Sequence, residues 1–260
     1  AYPGSTIRAA YTRSLGGVAF DQSFRLEPSQ VAGFNQAYRS LIPESVEGSI
    51  AGATMDTLGV ALDQKFGSGT YLGLVAEQLT SDAARELGAY ASDITTFPPV
   101  NGLSRARQEL HFEEKNFTLT LNQLIGKNWS VGARYRLSDA ELHSHVLTVP
   151  LTVTPAAVRR QEATLQTVDL YTLFRHQSGF FGQFDAVWLG QSNRGYEPAL
   201  PGDNFWQLNL TGGWSFFQRR LEVRTGVLNL TDQNYRLNPL NLTPEYPRAR
   251  TWMAGLKFYF

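Results

Sequence analysis

Between Trp129 and Ser138 the apolar side chains fall on every second position: Trp129, Val131, Ala133, Tyr135 and Leu137 alternate with Ser130, Gly132, Arg134 and Arg136. A repeat of two puts successive side chains on opposite faces of an extended strand. The same pattern predicts strands over Thr6–Arg13, Met55–Phe66, Thr70–Gln78, Leu110–Leu124, Leu165–Phe174, Phe180–Leu189, Phe205–Phe217, Leu221–Leu228 and the C-terminal Arg250–Phe260. In the last of these, Trp252, Ala254, Leu256, Phe258 and Phe260 share one face. About ten residues of tilted strand are what one bilayer crossing needs. Over Leu110–Leu124 the phase is clear only in the second half, where Phe117, Leu119 and Leu121 oppose Thr118, Thr120 and Asn122.

The connections separate a membrane barrel from a soluble sandwich. Long segments (Ser14–Thr54, Leu79–Glu109, Asp139–Thr164, Gly190–Asn204, Asn229–Ala249) alternate strictly with short ones (Gly67–Gly69, Ile125–Asn128, Arg175–Gly179, Gln218–Arg220). Transmembrane barrels keep tight periplasmic turns and long extracellular loops, and a sandwich has no reason to. The expected fold is all-β: an antiparallel transmembrane β-barrel of about ten strands over residues 1–260, complete or part of a larger barrel. Trp188, Trp206 and Trp252 are predicted at the outer strand ends, and Trp129 and Trp214 toward the inner ends, as two interfacial belts. Arg134, Arg136, Asp169, Asp185, Glu222 and Arg224 are expected to face a wet lumen, since a dry core would require a buried partner for each.

Composition sharpens this reading. No run approaches the roughly 18 apolar residues of a membrane helix, yet the chain carries 16 Phe, 11 Tyr, 5 Trp and 23 Gly, a mixture that suits alternating membrane strands. With 23 basic and 23 acidic residues there is no excess of positive charge to draw a nucleic acid. The absence of cysteine removes thiolate chemistry and is compatible with an oxidising envelope. The N-terminus shows no basic region followed by an apolar core, so a signal peptide is expected to have been removed or to lie outside these residues.

The stretch Gly226-Val227-Leu228-Asn229-Leu230-Thr231-Asp232-Gln233-Asn234-Tyr235, then Pro247-Arg248-Ala249-Arg250-Thr251-Trp252 and Gly255-Leu256-Lys257-Phe258-Tyr259-Phe260, resembles the C-terminal end of TonB-dependent outer-membrane receptors. Arg25-Leu26-Glu27-Pro28, with the strand from Thr57 to Asp63, is similar to another stretch of that family. The resemblance implies a bacterial outer-membrane location and energised import of a scarce ligand such as an iron chelate. It also implies recognition of Leu256, Phe258 and Phe260 by the barrel-assembly machinery. Family members carry a plug domain and about twice as many strands. The chain therefore reads as the C-terminal part of a larger barrel, or as one that has lost the transport apparatus.

Two alternatives stand beside a receptor. One is a plug-less structural or export-associated barrel that docks a periplasmic or surface protein. The other is an outer-membrane hydrolase using His143 and His145 with Asp139 and Glu141 in an external loop, as omptin-type proteases use external Asp and His. A solvated loop is the preferred reading of that cluster, so no catalytic, cofactor or metal site is expected. Pro28–Ile42, with Val31, Phe34, Tyr38 and Leu41 at helical spacing, is expected to form a short amphipathic helix in the first external loop.

Overall fold

The computed structural model describes residues 3–15, 30–32, 34–35, 41–42, 53–93, 100–147, 157–217, 220–235 and 249–259. Its strands in chain order are β1 (Ser5–Leu15), β2 (Gln30–Val31), β3 (Phe34–Asn35), β4 (Thr54–Lys65), β5 (Thr70–Asp93), β6 (Val100–Ile125), β7 (Trp129–Val146), β8 (Val158–Arg175), β9 (Phe180–Arg194), β10 (Asn204–Phe216), β11 (Leu221–Leu228) and β12 (Thr251–Phe258). Apart from the β2–β3 pair they form one antiparallel ten-stranded sheet whose spatial order is the chain order, β1-β4-β5-β6-β7-β8-β9-β10-β11-β12. Among the described residues β1 and β12 each pair on one side, so the sheet is open.

All ten predicted strands are present, and the central ones run well beyond their expected ends. β5 continues to Asp93, β6 begins at Val100, β7 reaches Val146 and β8 begins at Val158. The physical reason is a change of phase. The residues of β6 that pair toward the short turn place Phe117, Leu119 and Leu121 on one face, here the outer face, where Phe117 and Leu121 are exposed. Thr118, Thr120 and Asn122 lie on the inner face. Past Asn116 the apolar residues change sides: Phe112 and Leu110 are buried on the inner face, and Lys115, His111 and Glu109 are exposed on the outer. β7 turns over at the paired height, from outer Val131, Tyr135 and Leu137 to inner Ala140 and Leu142. β8 does the same between outer Val168 and inner Leu165 and Ala163.

The sheet is therefore two-tiered. On the near tier, beside the short turns, it is apolar outside and polar inside. On the far tier it has an ordinary core on the inner face, where Leu110, Phe112, Ala140, Leu142, Ala163, Leu165, Val187, Leu189 and Phe205 meet Leu41, Ile42 and Tyr235. Leu41 and Ile42 lie in the chain between β1 and β4.

The helix expected over Pro28–Ile42 is not what forms in its described part. Gln30–Val31 pairs antiparallel with Phe34–Asn35 as β2 and β3, and Ala32 has φ 52°. Contacts with the inner face override the helical spacing. The Phe34 ring lies on Gly59, where a Cβ would come within 2.6 Å of it. Arg8 donates to the Ala32 carbonyl at 2.8 Å, and its guanidinium lies 5.7 Å from the Phe34 ring centre. Tyr38 lies outside the described residues.

Candidate membrane-facing band

On the outer face of the near tier the exposed side chains form an apolar band across all ten strands. It includes Ile7 and Tyr11 on β1, Leu58 and Val60 on β4, Phe117 and Leu121 on β6, Leu170 on β8, Phe184 on β9, Leu210 on β10 and Leu256 on β12. On β7 it runs from Trp129 to Leu137, eight steps of about 3.3 Å each, or roughly 26 Å along the strand. Before tilt, that length is close to the apolar height of a membrane barrel. Water offers no stabilisation for so continuous an exposed apolar surface.

Aromatic rings edge this band at the short turns. Trp129 lies 4.5 Å from Phe174, Phe174 6.0 Å from Phe180, and Phe180 5.8 Å from Trp214, centre to centre, with Phe216 6.4 Å beyond. At the other edge Trp206 is the third residue of β10 and Trp252 the second of β12. Trp188 faces Trp206 in register and donates from Nε1 to Asn204 Oδ1 at 2.6 Å. It departs from its expected place at a strand end, because β9 continues to Arg194. It stands instead where the apolar series of its own strand stops, before Gly190, Ser192 and Arg194.

Arg134, Arg136, Asp169, Asp185, Glu222 and Arg224 stand on the face of the sheet opposite the apolar band, in local ion pairs and hydrogen bonds. Arg134 opposes Asp169 in register and pairs with it at 2.9 Å. Arg136 donates to Asn116 Oδ1 at 3.1 Å, and Asn116 donates to the buried Glu114 at 2.7 Å. Asp185 accepts from Gln183 at 2.9 Å. Glu222, only 7% exposed, holds Arg224 at 3.0 Å and Arg175 at 3.7 Å. Phe181 sits between those two guanidinium groups, 5.7 and 5.6 Å from its ring centre. Phe181 and Arg175 escaped the sequence reading: one looks like part of the outer apolar series, and the other falls in a segment assigned to a turn.

His143, His145, Asp139 and Glu141 are not in a loop. They stand at alternate positions on the outer face of β7, which projects them side by side. Asp139 accepts from Thr164 at 2.7 Å, and His143 pairs with Glu141. Among the described residues no three His, Asp or Glu side chains converge where a metal ion could sit. Glu141 also takes a bidentate contact from Arg160, whose Nη2 lies 3.1 Å from Oε2. Burial alone would raise its carboxyl pKa, but the Arg160 and His143 bonds outweigh this and hold it below the ordinary value of 4.5. A depressed carboxylate adds stability above its unfolded pKa and loses it as pH falls through the lower folded value. Acid titration from pH 5 downward is therefore expected to cost the parent up to about 1 kcal/mol more than Glu141→Gln, the scale of a partly exposed pair. Parallel urea midpoints of the two proteins over that range measure it.

The Asn229–Tyr235 element is a tie between the last two strands. Asn229 is fully buried at φ 52°, and its side chain both donates to the Gln233 carbonyl (2.9 Å) and accepts from the Gln233 amide (2.8 Å). Asp232, at φ 55°, accepts from the Arg250 amide at 2.8 Å, and Arg250 Nε donates to the Leu230 carbonyl at 3.0 Å. The turn delivers Tyr235 onto Phe205, stacked at 4.3 Å, in the far core. Asn229→Ala strands two backbone groups and puts a Cβ-bearing residue without a polar partner in the left-handed region, so a loss of about 2 kcal/mol in unfolding free energy is expected by urea titration.

Leu256 and Phe258 are exposed on the outer face of β12, at 66% and 59%; Phe260 lies outside the described residues. Comparison of the chain with protein families, with characterised proteins and with solved structures finds no match.

Proposed function

We propose that the ten-stranded sheet is wall of a transmembrane β-barrel in a bacterial outer membrane, of TonB-dependent receptor type, serving uptake or binding of a scarce ligand. The observation that carries the membrane part is the reversal of polarity between the tiers. A sheet whose near tier is apolar outside and polar inside, and whose far tier is the opposite, suits lipid below and water above. The short turns then lie in the periplasm and the far tier stands outside the cell. The exposed Leu256 and Phe258 on β12 suit the barrel-assembly machinery, and the lipid bilayer is the other standing partner. The receptor part rests on the resemblance of the Asn229–Tyr235 tie and the terminal strand.

Cell fractionation tests the first part: the protein is expected in the outer membrane, released by detergent and shifted in gel mobility by boiling. Recovery from the soluble periplasm overturns it. Intact mass tests the second. The 260 residues account for 29.0 kDa; a mature polypeptide carrying a plug-sized region in addition supports a receptor, and a mass of 29.0 kDa alone sinks import through its own lumen.

One observation favours the plug-less barrel that docks a protein partner. The far core, with Leu41 and Ile42 packed into it, occupies the inner face at the outward end. Such a filling obstructs a passage and leaves the projecting strands as a display surface. Energy-dependent uptake separates the two readings.

A further inference from the structure

A cavity of about 220 Å³ opens on the inner face of the far tier. Four strands build it. Arg85 on β5 stands opposite Gln108 on β6 and donates to its Oε1 from Nε at 2.6 Å. Ser144 on β7 stands opposite Leu110 on one side and Arg159 of β8 on the other, and Leu142 opposes Gln161. Tyr196 to Leu200, from the β9–β10 connection, form its rim, tied down where Asn193 donates to the Leu200 carbonyl at 3.0 Å. Arg159, Glu197 and Pro198 are exposed, which leaves the cavity open past them.

Its floor is polar and buried. Gln108 is 7% exposed, Ser144 6% and Gln161 8%. The side chains of Ser144 and Gln161 have no hydrogen-bond partner among the described residues, and both line the cavity. Both are open to the space they face, where their polar groups can bond whatever enters it. Charge selects what enters. Four other inner-face arginines have carboxylates beside them: Arg8 has Asp63, Arg134 has Asp169, and Arg175 and Arg224 share Glu222. Arg159 has no ion pair among the described residues, and the one carboxylate in the lining, Glu197, stands on the exposed rim. Hydroxyl, carboxamide and guanidinium groups together make a wall rich in donors, which carboxylates and phosphates satisfy in the bidentate manner that arginine favours.

We propose that this cavity is a binding site for a small oxyanion, a carboxylate- or phosphate-bearing molecule, held by Arg159 over a floor of Gln108, Ser144 and Gln161. Size sets the class. The volume is that of about seven liquid waters, which admits inorganic phosphate or a small polycarboxylate and is too small to enclose a drug-sized ligand. The site rests on the outer-membrane reading only for the direction from which the ligand arrives.

The test is calorimetric titration of the full chain in detergent micelles with inorganic phosphate and, separately, with citrate. Saturable one-to-one binding of at least one probe is expected, and which one binds distinguishes a phosphate from a polycarboxylate ligand. Arg159→Gln is expected to weaken binding by about tenfold or more, the scale of a charged hydrogen bond. Arg134→Gln, at the Asp169 pair of the near tier, is expected to leave it unchanged. Should Arg159→Gln fail to fold, Ser144→Asp, which places a carboxylate on the floor, serves instead and is expected to abolish binding. No binding of either probe, or equal binding by the parent and the folded variant, overturns the site. Either result is independent of fractionation: a protein found in the outer membrane that binds neither probe loses only this site, and one that binds but is recovered as a soluble protein loses only the membrane assignment.

Discussion

Leu170→Arg is expected to lower the unfolding free energy by about 2–4 kcal/mol in lipid bilayers, the cost of a cation near the midplane on the lipid face of a barrel strand. Leu170 is 41% exposed in the middle of the outer band, with Ala133 and Ala186 opposite it on the neighbouring strands. On a water-soluble sheet the same substitution at a half-exposed site would fall within about 0.5 kcal/mol, so the variant distinguishes the two environments by magnitude alone. Urea unfolding in vesicles measures it. Arg160→Leu, on the same face and strand but in the far tier, is the counterpart: it removes a charge from water and costs no more than its ion pairs with Glu141 and Glu162, about 1 kcal/mol. Equal small effects for both would mean that the outer band does not meet lipid.

Phe112→Ala is expected to cost about 3–5 kcal/mol. Phe112 lies two residues from Leu110 on β6, is 1% exposed, and belongs to the far core with Leu142, Leu165 and Leu189. A cavity there cannot be filled by lipid, because the site is on the inner face and above the band. Its cost is accordingly expected to be the same in detergent micelles and in vesicles, whereas that of Leu170→Arg depends on the surrounding medium. The urea midpoint in both media measures it; a loss under about 1 kcal/mol would show that the far tier contributes no packed core.

Alternation of period two made the near tier legible, since each strand there keeps one apolar phase for about ten residues. The far tier also alternates. Glu109, His111 and Glu113 interleave with Leu110 and Phe112, but the apolar residues have moved from odd to even positions, and an alternating series read in one phase ends where the phase inverts. This is why the alternation predicts that β5 to β8 stop near the band and that the His143 cluster lies in a loop. The cavity around Arg159 was invisible for another reason: its lining comes from four strands and a connection, and a single chain carries no signal that brings Arg85 opposite Gln108. The Asn229–Tyr235 tie was recognisable as a motif, but its work, two left-handed residues that swing Tyr235 onto Phe205, belongs to three dimensions.

The order of the sheet has a kinetic consequence. Because every long strand of the sheet pairs with its neighbour in sequence, the search for each partner is local, and loop closure grows only with the logarithm of the intervening length. Assembly can proceed hairpin by hairpin along β5 to β10. The delayed steps are the joining of β1 to β4 across residues 16–53 and of β12 to β11 across residues 229–250, the two outermost pairings; until they form, β4 and β11 are the provisional edges of a folding intermediate.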